Sequence, residues 1–245
     1  MTGRLRKGVI APAIIGGVLG VAAIGSITHS SAGSTPDRLD EATAIVEVNA
    51  TEGDAGIQFF VDGEPWSSMR VIGPRGEGVG ELLRIDTQGR LEGHGLTELF
   101  MESSEPPFDE LPLRKFKRRF PEGRYTFRGT TIEGRDVVGS ATLSHDIPNG
   151  PEITSPTEGV TVSRNNLVAS WGPGNQPADV EIVAYRAIVE REDPLRVFSA
   201  DLPASVKSVT VPSEFLESGT EYLFELQAIE ASGNITFSEV HFIVE

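Results

Sequence analysis

The chain has 245 residues, enough for one large domain or two of ordinary size, and it is acidic, with 36 Asp and Glu against 21 Lys and Arg. That balance argues against nucleic-acid binding, which needs a basic face to neutralise phosphates. The absence of cysteine excludes disulfides, thiol nucleophiles, thiolate metal sites and a lipid-modified N-terminal cysteine, while 27 Gly and 16 Pro suit many short strands joined by turns.

Arg4, Arg6 and Lys7 form a positive head. From Gly8 to Thr28 no residue is charged, and Ser30-Ser31-Ala32 then offers small residues ahead of polar Gly33-Ser34-Thr35-Pro36. This order predicts a secretory signal over residues 1–32. As a helix the uncharged stretch is also long enough to span a bilayer core, and Gly16 and Gly20 make a small-xxx-small pair. The alternative is therefore a membrane anchor through residues 8–28, left uncleaved. Both readings place residues 33–245 outside the cytoplasm, whether secreted, periplasmic or tethered. Residues 1–32 hold basic side chains and no acidic ones, so the exported part is more acidic than the whole.

Ile147-Pro148-Asn149-Gly150-Pro151 reads as a linker between a first unit, 33–148, and a second, 149–245. In the first unit Ala44 to Val48, Ile57 to Val61, Met69 to Ile72 and Leu82 to Ile85 have strand character, and Asp62-Gly63 between two of them reads as a tight turn. Trp66 follows that turn as a core or contact residue. The Gly-rich run Gly73 to Gly80 lacks the Lys-Ser/Thr of a phosphate loop and reads as a hairpin connection. Its Arg75-Gly76-Glu77 departs from the Arg-Gly-Asp recognition loop.

A short helix is predicted over 112–120, with Pro112 in its first turn and Asp109 as its cap. Leu113, Phe116 and Phe120 share one arc and would plug one end of the first unit. Arg114, Lys115, Arg118 and Arg119 occupy the opposite arc, with Lys117 at its edge. These four form a candidate docking patch for an anionic partner such as a polysaccharide, a lipid head group or an acidic protein. The competing reading is that they balance an acidic neighbour.

The second unit reads as strands at Leu167 to Trp171, Val180 to Val189, from Val197-Phe198, Val206 to Val211, Tyr222 to Leu226 and Val240 to Val244. With Trp171 ending the first of these, Tyr185 inside the next, and Leu216, Gly219 and Tyr222 at a corner, residues 151–245 resemble the fibronectin type III module. That resemblance implies a seven-stranded β-sandwich with a buried Trp and a tyrosine whose hydroxyl caps backbone at the corner. A shift of 97 residues places Tyr125, Phe127, Ile132 and Glu133 on Tyr222, Phe224, Ile229 and Glu230, which suggests a related first unit. Through His94-Gly95-Leu96-Thr97-Glu98-Leu99-Phe100 and Phe120-Pro121-Glu122-Gly123 that unit is similar to a group of uncharacterised exported bacterial proteins, a likeness that implies export and no activity.

Nothing along the chain assembles a catalytic site. There is no Gly-x-Ser-x-Gly elbow, and His29, His94, His145 and His241 do not cluster. Acidic residues at Asp54, Asp62, Glu64, Glu102, Glu105, Asp109 and Glu110 lack the ligand spacing of an EF-hand, so neither a metal nor a cofactor is expected. The sequons at Asn49 and Asn234 fall in predicted strands. The expected fold is all-β, with two tandem immunoglobulin-like β-sandwiches, the first bearing a short helix, after an N-terminal hydrophobic helix. The expected role is that of an exported, non-catalytic binding or structural module at the bacterial envelope or beyond it. Its partner would be an extracytoplasmic protein or polysaccharide. The alternative is an accessory unit of a polysaccharide-directed hydrolase, or a small hydrolase.

Overall fold

Alternation along residues 41–49 puts Ala44, Val46 and Val48 on one face, and β-branched residues favour the extended chain. The computed structural model describes residues 35–74 and 80–245. The signal or anchor expected over 1–32 and Arg75-Gly76-Glu77 lie outside the described residues.

The strands of the amino-terminal half are β1 (Asp37–Arg38), β2 (Glu41–Asn49), β3 (Asp54–Ile72), β4 (Glu81–Asp86) and β5 (Leu96–Glu102). Helix α1 (Leu113–Arg119) follows, then β6 (Gly123–Thr131) and β7 (Asp136–Leu143). The carboxy-terminal half contains β8 (Glu152–Ser155), β9 (Val160–Val162), β10 (Val168–Gly172) and β11 (Ile182–Arg191). It ends with β12 (Arg196–Pro203), β13 (Ser208–Thr210), β14 (Thr220–Glu230) and β15 (Ile235–Val244).

Strand β3 organises the first sandwich. Its first part pairs with β2 and β5, and its last part with β4 and β6, so one strand serves both sheets. The turn expected at Asp62-Gly63 does not form. The chain stays extended there, with shifts of register between Asp62 and Ser68, as the strand passes from one sheet to the other. Leu39 occupies the space over Gly63, where a Cβ would stand 3.1 Å from Leu39 Cδ2, and Asp40 N donates to Asp62 O at 2.9 Å. Between the layers lie Val46, Ile57, Phe59, Trp66, Met69, Tyr125, Phe127 and Leu143. Trp66 is fully buried and belongs to this core rather than to a contact surface.

In the second sandwich β13, β10 and β8 form one sheet, while β15, β14, β11 and β12 form the other. Strand β9 adds to the second sheet by pairing in parallel with β15, and the eight strands, three in one layer and five in the other, enclose Trp171, Tyr185, Leu216, Tyr222, Phe224 and Phe242. The corner forms as expected, since Tyr222 Oη accepts from Glu217 N at 2.9 Å and donates to Phe215 O at 3.4 Å. Tyr125 makes a counterpart by donating to Pro121 O at 3.0 Å. The 97-residue correspondence holds for Tyr125 and Phe127 and then fails. Strand β6 ends at Thr131 and turns into β7, leaving Ile132 and Glu133 outside it. Strand β14 runs on through Ile229 and Glu230, because β11 and β15 flank it along that length.

Candidate functional site

Two surfaces carry chemistry: the seam between the sandwiches and the outer face of α1.

The seam begins as backbone. Strand β2 pairs in parallel with β15, Glu47 to Asn49 against Ile235 to Phe237, which joins the two halves in one sheet. Asn234 secures the junction. Its Oδ1 accepts from Val46 N at 2.8 Å, and its Nδ2 donates to Ser144 O at 3.2 Å and Asp146 O at 3.1 Å. Thr236 Oγ1 donates to Pro148 O at 2.6 Å, so the irregular stretch between β7 and β8 is tied to the sheet. Both sequon asparagines are buried, Asn49 with its Nδ2 donating to Glu239 Oε1 at 3.2 Å, which leaves neither side chain open to a glycan.

Beyond the strand pairing, the faces of β3, β11, β14 and β15 that point away from their own cores are also shielded. Gln58, Phe60, Arg186, Ile188, Gln227 and Phe237 are all buried. Ile45, Phe60 and Phe100 from the first sandwich and Arg186, Ile229 and Ile235 from the second line a common cavity of about 330 Å³. Arg186 Nε meets Asp201 Oδ1 at 2.5 Å.

Acidic groups concentrate along the same seam. Glu47 on β2, Glu102 at the end of β5 and Glu105 just after it each bring one oxygen within 4.8 Å of the others. Burial, reinforced by Glu225, Glu102 and Glu105, lifts the Glu47 carboxyl well above the usual carboxylate range, against a smaller opposing effect of the Gln58 amide. Glu225, on β14, is pushed up to about 7, mainly by burial, while a hydrogen bond from Gln227 opposes the rise and Glu239, Glu190 and Glu105 add to it. Burial disfavours the charged form and neighbouring carboxylates compound the effect. Sequence spacing did not show this cluster, because it unites three separate strands and a loop.

Helix α1 forms over the predicted residues. Phe116 is buried in the first core and packs against Phe120 in a tilted arrangement, with ring centroids 5.0 Å apart. Pro112 holds the N-cap position and no side chain caps the helix, so Asp109 does not play the role expected of it. Lys117 turns aside to donate to His145 O at 3.2 Å. Arg114, Lys115, Arg118 and Arg119 are exposed on the outer face. Among the described residues, none of the four forms an ion pair with a carboxylate.

The histidines are dispersed. His94 is exposed in a loop, His145 Nε2 faces Phe120 O at 2.8 Å, and His241 lies 3.9 Å from Glu158. Among the described residues, no histidine bonds a serine or threonine hydroxyl.

No protein-family model and no curated protein matches the chain. Among solved structures it is similar to one described as giving insight into host cell surface retention of a 1.5-MDa bacterial ice-binding adhesin. The identity is 13%, the match covers 86% of this chain and 66% of that one, and the TM-score is 0.28. It is also similar to the FN1–FN3 domains of chicken CNTN1, at 12% identity, covering 86% of this chain and 68% of that one, with a TM-score of 0.31. The chain thus spans just under two thirds of the adhesin structure. Likeness at this level carries no argument about activity, and the fold stands on the strand pairing and the two cores.

Proposed function

We propose that the protein is an exported, non-catalytic binding module, in which two sandwiches form a scaffold and the outer face of α1 docks an anionic partner at the cell envelope or beyond it. The observation that carries this reading is the state of Arg114, Lys115, Arg118 and Arg119. Four cations stand exposed on one short helix of a strongly acidic chain, with no ion pair to a described carboxylate. A helix face that merely balanced its surroundings would be paired with them. Leu113, Phe116 and Phe120 anchor the opposite face against the first core, so the cations are presented on a fixed support.

Residues 1–32 support export through their charged head, uncharged stretch and small-residue exit. The carboxy-terminal sandwich, with its buried Trp171 and tyrosine corner, supports a module of the fibronectin type III kind, a scaffold used to hold or recognise partners.

The test is retention of the immobilised full chain on anionic polysaccharides, anionic vesicles and acidic exported proteins, beside a variant with Arg114, Lys115, Arg118 and Arg119 changed to Glu. Retention that salt weakens and that the variant loses is the expected result. Equal retention by both forms overturns the assignment to α1.

A further inference from the structure

We propose that the seam is a proton-operated hinge: the sandwiches stay closed face to face while Glu47 and Glu225 are neutral carboxylic acids, and they swing apart about the β2–β15 junction when the two groups ionise. Neither the hinge nor its trigger involves the basic helix.

The ties between the halves are gathered along one line. Strand β2 meets β15 over three residue pairs, and the hydrogen bonds of Asn234, Thr236 and Asn49 fall beside that pairing. Ala50 N donates to Phe237 O at 2.8 Å just past its end. The covalent connection crosses at the same place, since Thr236 holds Pro148 and a Cβ on Gly150 would stand 2.5 Å from Ala50 Cβ. Among the described residues, no backbone pairing joins β3 or β5 to β11 or β14. Two bodies fastened along one edge can rotate about it while most of their bonding is kept. The cavity of about 330 Å³ beside that edge means the facing surfaces are incompletely packed, so parting them gives up less contact than a close-packed interface would.

The surfaces that would part are acidic. Glu47 has Glu102 on β5 and Glu105 after it within 4.8 Å, oxygen to oxygen, and Glu225 faces it across the seam. Glu225 stands directly opposite Glu239 in the β14–β15 register, with Glu190 on β11 and Glu105 also close. On β3, Asp54 lies two residues from Gly56, the register partner of Glu47. Like charges placed opposite one another in a sheet repel. The cation that strand alternation puts on this face of β11 is Arg186, and Asp201 engages it. His241, further along β15, lies 3.9 Å from Glu158, while Glu41 lines the far part of the cavity with Asp62 and Glu98 as neighbours.

Hydrogen bonding shows which protonation state suits the closed seam. Gln58 and Gln227 each spend their amide nitrogen on a carboxylate, Glu102 at 2.9 Å and Glu225 at 2.8 Å. The Oε1 of each is buried and accepts no bond. A carboxylate has no proton to give such a carbonyl, whereas a carboxylic acid does. Glu47 lies beside Gln58 and Glu225 beside Gln227, so the neutral acids carry the donors that the two amides lack.

Burial first, and then the neighbouring carboxylates, hold both groups above the ordinary range, Glu225 at about 7. Once the faces part, water reaches both groups and they return to the ordinary carboxyl range. The closed state therefore binds more protons than the open one. Its advantage is complete below that ordinary range and is lost as pH rises through about 7, by up to about tenfold per pH unit for each group. Opening uncovers Phe60, Ile188 and Phe237, so ionisation would present an apolar face that the closed form hides.

The chain has no cysteine, so Thr97→Cys on β5 and Ser199→Cys on β12, both exposed, accept a pair of pH-insensitive dyes without removing a native thiol. Energy transfer between them in the full chain should fall reversibly from about pH 5 to about pH 8. Over the same range the emission of Trp66 and Trp171 in unlabelled protein should stay that of buried indoles, because each core remains intact. Glu47→Gln combined with Glu225→Gln, in which each amide has the shape of the neutral acid, should lower the ratio of open to closed protein at the alkaline end by about tenfold or more. Glu214→Gln, exposed and away from the seam, should follow the parent. Transfer that stays constant with pH overturns the proposal. So does a fall that the double Gln variant repeats in full, or one that runs in step with a red shift of the tryptophans, which would be unfolding of a core and not rotation about the seam.

Discussion

The two sandwiches meet the same demand, closing a β-core around large aromatics, by different routes. The carboxy-terminal one divides its strands between two sheets, with each strand in one layer. The amino-terminal one threads β3 through both layers and fills one end with Phe116 from α1. Their tyrosine corners differ in the same sense. Tyr222 makes two backbone bonds, Tyr125 one, and burial lifts the Tyr125 phenol to about 12. The comparison teaches that similar corners can terminate quite different sheet arrangements, so a corner motif alone does not specify topology.

The largest expected effect comes from deleting each core's tryptophan. Trp66→Ala and Trp171→Ala should each cost about 3–5 kcal/mol. Because the seam joins β2 to β15, both should lower a single calorimetric transition. Two transitions, each moved by only one variant, would show that the sandwiches melt independently.

Next is pH. The folded-state value of Glu225, about 7, lies above that of an unfolded glutamate. Its contribution is therefore fully present below the unfolded carboxyl range and is lost as pH rises through about 7. The protein should lose up to about 3 kcal/mol between pH 4.5 and 8 from this group, and Glu225→Gln should flatten that slope in denaturant titrations.

Asn234→Ala would strip Val46 N and the carbonyls of Ser144 and Asp146 of their shared partner. A loss of about 1–3 kcal/mol is expected in urea melts, with hydrogen exchange rising at the seam before it rises in either core. The smallest effects separate the two corners. Tyr222→Phe should cost about 1–2 kcal/mol and Tyr125→Phe about 1 kcal/mol, measured by the same melts.

Much of the second sandwich was legible in the sequence, because its strands alternate cleanly and Tyr222 follows a turn containing Gly219. The helix was legible from the spacing of Leu113, Phe116 and Phe120. The passage of β3 between sheets was not, because Asp62-Gly63-Glu64-Pro65 carries turn chemistry, and contact with Leu39 and pairing of Asp62 with β2 and β5 keep it extended. The seam was hidden for a different reason. Its residues come from distant stretches, and their one local signal is that apolar runs such as Phe59-Phe60-Val61 and Ala187-Ile188-Val189 leave no wet face. Those runs mark strands covered on both sides. The carboxylates needed the register itself, since nothing in their spacing relates Glu47 to Glu102.

The parallel pairing of β2 with β15 also has a mechanical consequence. Tension applied through the start of β2 and the end of β15 would draw the two strands in opposite directions along their shared axis. The bonds between them would then bear load together, in shear, instead of opening one after another like a zip. A junction built this way resists stretching more than bending, a useful property in a spacer that must transmit force without lengthening.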